Sequence, residues 1–127
     1  MIQTSIRGLP EVIALGEIDV VAVLDPVVRR GSLGIERRMA TYPSAPSGSR
    51  YQRIYQLQRG WGSRFERSER MSRGSTENGV PYAPWVQSQE TQARIHRGRW
   101  GTDADAVDLA VPDIAADAEK ALEDALR

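Results

Sequence analysis

The sequence predicts an α+β fold, a small antiparallel sheet packed against a long N-terminal helical region and a C-terminal helix. Three observations predict it. Apolar, largely helix-spaced text fills residues 11–39; two alternating segments face each other across residues 68–71; and residues 102–127 carry a helical stripe with acids early and a base at the end. At 127 residues the chain fits one domain, 1–127, and is long enough to bury one core.

The elements follow in order. Ile2, Thr4 and Ile6 alternate with Gln3, Ser5 and Arg7, the period of a short strand that Gly8 and Pro10 end. In EVIALGEIDVVAVL, Ile13, Gly16, Val20 and Leu24 fit a helix stripe, while EIDVVAVL also reads as a buried β-branched strand. Pro10 and Glu11, both suited to a first helical turn, favour the helix. Asp25-Pro26 is a restart signal, with Asp as N-cap and Pro at the first helical position. The stripe after it is Val27, Val28, Gly31, Ile35 and Met39, with Arg29, Arg30, Glu36 and Arg37 facing away. Gly31 and Gly34 each cost about 1 kcal/mol in a helix, so they imply close packing or a helix held by its surroundings.

Prolines and serines make residues 42–50 an extended loop, an arm that could reach a neighbouring molecule. Trp61, Ser63, Phe65 and Arg67 then alternate with Gly62, Arg64, Glu66 and Ser68, and MSRGSTENG returns as a second strand closing at Asn78-Gly79. Pro81 and Pro84 argue against any regular element across VPYAPW. QSQETQARIHRGR reads as a short helix with Gln92, Ile95 and His96 on nearby faces. Thr102-Asp103 is an N-cap, Pro112 restarts or kinks the last helix, and its stripe is Ile114, Ala118, Ala121, Leu122, Ala125 and Leu126.

Charge is segregated. Residues 1–28 hold one Arg against four acids, residues 29–99 fourteen Arg against five Glu, and residues 100–127 eight acids against Lys120 and Arg127. A basic middle between acidic ends suits self-association or steering. Sixteen Arg to one Lys suits bidentate interface pairing.

Signs of enzyme chemistry are missing. There is no cysteine, and the lone His96 has no second His to share a metal. Asp103, Asp105 and Asp108 lack the glycine and final Glu of a calcium loop. GxSxG and SxxK are absent, and a single lysine at 120 rules out a phosphate-binding GxxxxGK[ST]. The expectation is no enzyme, no cofactor and no metal. No apolar run approaches membrane-spanning length, and the start does not read as a signal peptide. A nucleic-acid module is the alternative. Seven arginines between Arg50 and Arg73 are interleaved with Tyr51, Tyr55, Trp61 and Phe65, a pattern able to hold a backbone and stack bases.

Two stretches carry a family resemblance. After the first long helix come Tyr42, Pro43, Pro46, Tyr51, Arg53, Leu57 and Trp61; further on come Asn78, Tyr82, Ala83, Val86, Gln87, Gln92, His96 and Trp100. Read together over 42–100, the chain resembles the small neck or tail-completion (head–tail connector) proteins of long-tailed double-stranded DNA bacteriophages and prophages. It departs at Ile54-Tyr55, where the family more often has Thr-Gly, which puts that local turn in doubt.

The resemblance implies a structural virion protein, assembled in the host cytoplasm, that forms a homo-oligomeric ring in the tail or neck. Its partners would be adjacent connector, tail-terminator or tail-tube proteins, with genomic DNA passing through the lumen without sequence-specific binding. It implies no catalytic residue. The candidate intersubunit or structural-lock residues are Tyr51, Arg53, Trp61, Tyr82, Trp85, His96 and Trp100. Tyr82 and Trp85 are expected to pin VPYAPW against the sheet, and Trp100 to close the short helix onto the same core. The sharper alternative places Trp85 or Trp61 partly in an intersubunit contact. Arginines of 50–73 are expected to meet acids on a neighbour's C-terminal helix, because a DNA channel should not present them unpaired.

Overall fold

The first helix begins earlier than Asp25-Pro26 predicts. In the computed structural model, which describes residues 2–5, 18–43 and 56–126, α1 spans Val20–Met39. Asp19 is its N-cap and accepts a hydrogen bond from the Ala22 amide at 3.0 Å. Pro26 therefore lies inside the helix, where it has no N–H for the Ala22 carbonyl. A proline there costs roughly 3 kcal/mol. Burial offsets that cost: Val20, Val21, Leu24 and Val27 pack against Ile114, Ala118, Ala121 and Leu122, while the Pro26 ring faces solvent. Of the predicted 11–24 helix, 20–24 is seen and 11–17 lies outside the described residues, as do 44–50 of the predicted arm.

Strands β1 (Ile2–Ser5), β2 (Trp61–Arg67) and β3 (Ser72–Asn78) form an antiparallel sheet in the order β1-β3-β2. Phe65 is opposite Gly74 and Ser63 opposite Thr76, so Trp61, Ser63, Phe65 and Arg67 share a face with Ser72, Gly74, Thr76 and Asn78. At its centre that face meets α1 through small and polar groups, with Trp61 and Phe65 also turned toward α1. The Ser72 hydroxyl donates to Asp25 at 2.7 Å and the Thr76 hydroxyl to the Ser32 carbonyl at 3.0 Å. The Ser63 hydroxyl donates to Glu36 at 2.6 Å, so Glu36 faces the sheet instead of away. At Gly74 the backbones come so close that an added Cβ would overlap the Ser32 hydroxyl and stand 2.9 Å from its Cβ. Only glycine fits.

The Asp25 carboxylate, 7% exposed, is held by Ser72, by Arg29 at 2.9 Å and by Arg67 at 3.9 Å. The Ser72 hydrogen bond pulls its pKa below the ordinary value; burial opposes this, and Arg29 and Arg67 add to the lowering. Arg29 also lies over the Phe65 ring, 4.8 Å from its centroid.

Two short helices, α2 (Gln56–Arg59) and α3 (Ala83–Gln87), flank the sheet in sequence, and α4 spans Asp103–Ala125. Thr102 caps α4 in a reciprocal box with Asp105. Pro112 neither restarts nor ends the helix. Pro112 and Asp108 are both exposed, so water can reach the carbonyl that the proline leaves unbonded. Ala106 and Ala110 pack on Ile35 and Met39. Of the two α1 glycines only Gly31 is a close approach, since a Cβ there would stand 2.9 Å from the Ile114 side chain; Gly34 has nothing within 4 Å. Leu126, expected in the stripe, is 70% exposed. The chain is thus α+β, with α1 holding α4 on one stripe and the sheet on the next.

Gly74→Ala should lower stability by about 1–3 kcal/mol in denaturant melts. Adding Ser32→Gly should recover part of that loss: the Ser32 hydroxyl has no hydrogen-bond partner to lose, but a glycine inside α1 itself costs up to about 1 kcal/mol. Stability should also fall with acid. Because the folded pKa of Asp25 is depressed, its contribution is complete above the ordinary carboxylate range and is lost as pH drops through the depressed value. Asp25→Asn should flatten the slope of unfolding free energy against pH below about pH 4.

Candidate functional site

The segment from Asn78 to Thr102 has little regular structure and is held by side-chain amides. Asn78 donates to the Leu57 carbonyl at 2.8 Å and accepts from the Val80 amide at 2.9 Å. Gln87, 3% exposed, donates to the Met39 carbonyl at 2.9 Å and so caps the C-terminus of α1. Gln92 donates to the carbonyls of Val86 at 2.7 Å and Trp100 at 3.0 Å, drawing the two ends of the 86–100 loop together. The Gln89 amide donates to Asp103 at 2.9 Å, and the Thr102 hydroxyl to the Gln89 side chain at 2.9 Å, joining the loop to the start of α4. Under these bonds Leu57, Val80, Ala83 and Val86 form a small core with Tyr42 and Trp100 against it.

The prolines do not prevent structure here. Pro84 sits in the first turn of α3, where its missing N–H has no partner to lose. The helix expected over 87–99, by contrast, shrinks to one 3₁₀ turn, Arg94–His96, with Ile95 78% exposed. Gln92 explains this, since its two bonds hold the loop closed where a continuous helix would extend it.

Three of the seven candidate residues come together. The Trp61 indole donates to the Tyr42 hydroxyl at 3.1 Å; Tyr42 stacks on Trp100 at 4.7 Å between centroids; and Trp100 meets His96 edge-on at 6.1 Å. Trp61 also packs against the Ile35–Met39 cluster. His96 has a buried Nδ1 without a hydrogen-bond partner, and among the described residues no carboxylate pairs with its ring. Tyr82 and Trp85 do not pin the segment to the sheet. Helix α3 turns Ala83, Val86 and Gln87 inward, which leaves Tyr82 41% and Trp85 60% exposed. Tyr51 and Arg53 lie outside the described residues.

The basic stretch reads differently in three dimensions. Trp61 and Phe65 face α1 and are not available to stack bases, and Tyr51 and Tyr55 lie outside the described residues. Arg64 pairs with Glu77 at 3.1 Å and Arg67 with Asp25, so these two arginines find their acids within the chain rather than on a neighbour. Between α1 and α4 runs a groove of about 390 Å³, lined by Arg30, Gly34, Arg38, Asp113 and Asp117. Arg30 binds Asp117 through two bonds of 2.8 and 2.9 Å, which lower the Asp117 pKa, and Arg38 lies 3.6 Å from Asp113. Thr41, which also lines the groove, donates its hydroxyl to the Arg37 carbonyl at 2.7 Å.

Sequence reasoning missed the amide bonds of Asn78, Gln87 and Gln92. No periodicity marks the bonds; Asn78 stood out as a turn residue and Gln92 as part of a short helix, and Gln87 through the resemblance alone. Among the described residues no three His, Asp or Glu gather as a metal ion would require, and no helix is long and apolar enough to cross a membrane. No protein-family model, curated protein or solved structure matches the chain.

Gln87→Leu should lower stability by about 1–3 kcal/mol, because the Met39 carbonyl loses its buried donor. Trp85→Ala should change it by no more than about 0.5 kcal/mol, as for other exposed sites. Thermal melts of the two variants check both values.

Proposed function

We propose that this chain is a structural component of a phage head–tail connector, a neck or tail-completion ring around the DNA channel of a long-tailed virion. The observation that carries the reading is the division of labour across 78–100. Of the residues there on which the resemblance rests, Asn78, Ala83, Val86, Gln87 and Gln92 are buried or bonded to backbone, Trp100 packs on their core and His96 meets Trp100, while Tyr82 is 41% exposed. Trp85 and Ile95 are left exposed on that framework. Exposed large apolar groups on a fixed scaffold mark a contact surface, and Trp is enriched among residues that dominate such contacts. A connector needs a rigid body with adhesive faces and no chemistry. Its partners are further copies of itself and the adjoining connector, tail-terminator or tail-tube proteins. DNA passes through the lumen without being read, and the virion tail or neck is where the protein resides.

Light scattering coupled to size exclusion, with negative-stain imaging of any large species, tests this. The expected result is a closed ring with a central hole that loosens as salt rises. A chain that stays monomeric and also fails to join tails or capsids assembled without it overturns the reading. Tight retention of generic duplex DNA by the monomer would favour a nucleic-acid module instead.

A further inference from the structure

We propose that the ring contact joins the Trp85–Ile95 surface of one copy to the acidic outer stripe of α4 on the next; this rests on the ring reading above. The first surface is built from two neighbouring segments. The Ala93 amide donates to the Trp85 carbonyl at 2.6 Å, and the Thr91 hydroxyl to the Pro84 carbonyl at 2.8 Å, so residues 91–95 run alongside α3. Trp85, 60% exposed, and Ile95, 78% exposed, therefore project from adjoining backbone, with Arg94 and Arg97 beside them. Neither arginine has an ion pair among the described residues.

The second surface is the side of α4 turned away from α1. Asp108, Glu119 and Glu123 are exposed there and have no basic partner among the described residues. Leu109 and Leu126, 61% and 70% exposed, lie on the same side. The acids sit badly for an isolated helix. Glu123 and Asp124 occupy its last turn, where the helix dipole is already negative, and that turn holds no basic residue. Each surface thus gathers like charge around exposed apolar groups, and each presents what the other lacks. Docking them relieves both repulsions and covers Trp85 and Ile95. A helix of 23 residues is about 35 Å long, enough to lie across such a surface.

The pairing also has the right symmetry. Two different patches on one chain make a heterologous contact, and repetition of one heterologous contact closes into a ring when the rotation allows.

Two double variants test it. One, Trp85→Ser with Arg97→Ser, disables the first surface; the other, Glu119→Lys with Glu123→Lys, disables the second. All four positions are exposed, so thermal melts should match the wild type to within a few degrees. Each variant alone should associate at least about 30-fold more weakly and run as a monomer. An equimolar mixture should give dimers and nothing larger, because only one intact contact can form per pair. Wild-type rings that survive either variant, or a mixture that stays monomeric, overturn this contact and leave the ring reading standing. If rings form only on tails, incorporation into tails is scored for the same variants, with exclusion of both expected and unimpaired entry of either overturning the contact. A wild-type chain that neither associates at low salt nor joins tails overturns both.

Discussion

The contact between α1 and β3 at Gly74 sets the geometry of everything else. Helix and sheet usually meet through large apolar side chains, but here Ser32 lies directly over a glycine, and the interface is narrow and polar. Such an interface holds when most of its buried hydrogen-bonding groups are paired, since each unpaired one, such as the Ser32 hydroxyl, is buried at a cost. Asp25 with Ser72, the Ser32 carbonyl with Thr76, and Glu36 with Ser63 supply the pairs. With α1 held on the sheet in this way, its adjacent stripe of Val20, Leu24, Val27 and Ile35 is free to take α4. The end of α1 at Met39 then becomes the anchor that Gln87 caps, and from which the 78–102 segment is arranged.

The layers were legible in the sequence, and most boundaries were not. The alternation of Trp61, Ser63, Phe65 and Arg67 showed the face of β2, and the Thr102 cap showed where α4 starts. Asp25-Pro26 misled because local rules for a helix start ignore what lies on either side. Val20, Val21 and Leu24 bury enough apolar surface to carry the helix through a proline, and Asp25 is taken up by Ser72, 47 residues away in sequence. A serine hydroxyl on a distant strand leaves no periodic trace. The site shows the same limit. Trp61, His96 and Trp100 were singled out and do gather around Tyr42, but Trp85 was assigned inward because aromatic residues usually are. Its outward direction follows from α3, a helix whose prolines had argued against it.

Charge in this molecule is sorted by function rather than cancelled locally. Arginines near the core interface, Arg29, Arg30, Arg64 and Arg67, each find an acid within the chain. Among the described residues Arg94 and Arg97 do not, and Asp108 and Glu119 have no basic partner. Two surfaces of opposite sign thus stand beside a body that holds several internal ion pairs. Charge arranged in this way biases encounter toward one orientation.

The two sides of α1 also differ in how they give way. On the α4 side, Ala106, Ala110, Ala118 and Ala121 face valine, isoleucine and methionine in a smooth apolar seam whose attraction has little direction. On the sheet side, any translation must first break directional bonds at Asp25, Ser32 and Glu36 and drive Ser32 against the β3 backbone. Under a shearing load the molecule is therefore stiff between α1 and the sheet and compliant between α1 and α4, where the Arg30–Asp117 pair is the main check on sliding. A body of this kind yields along one seam and keeps the rest of its shape.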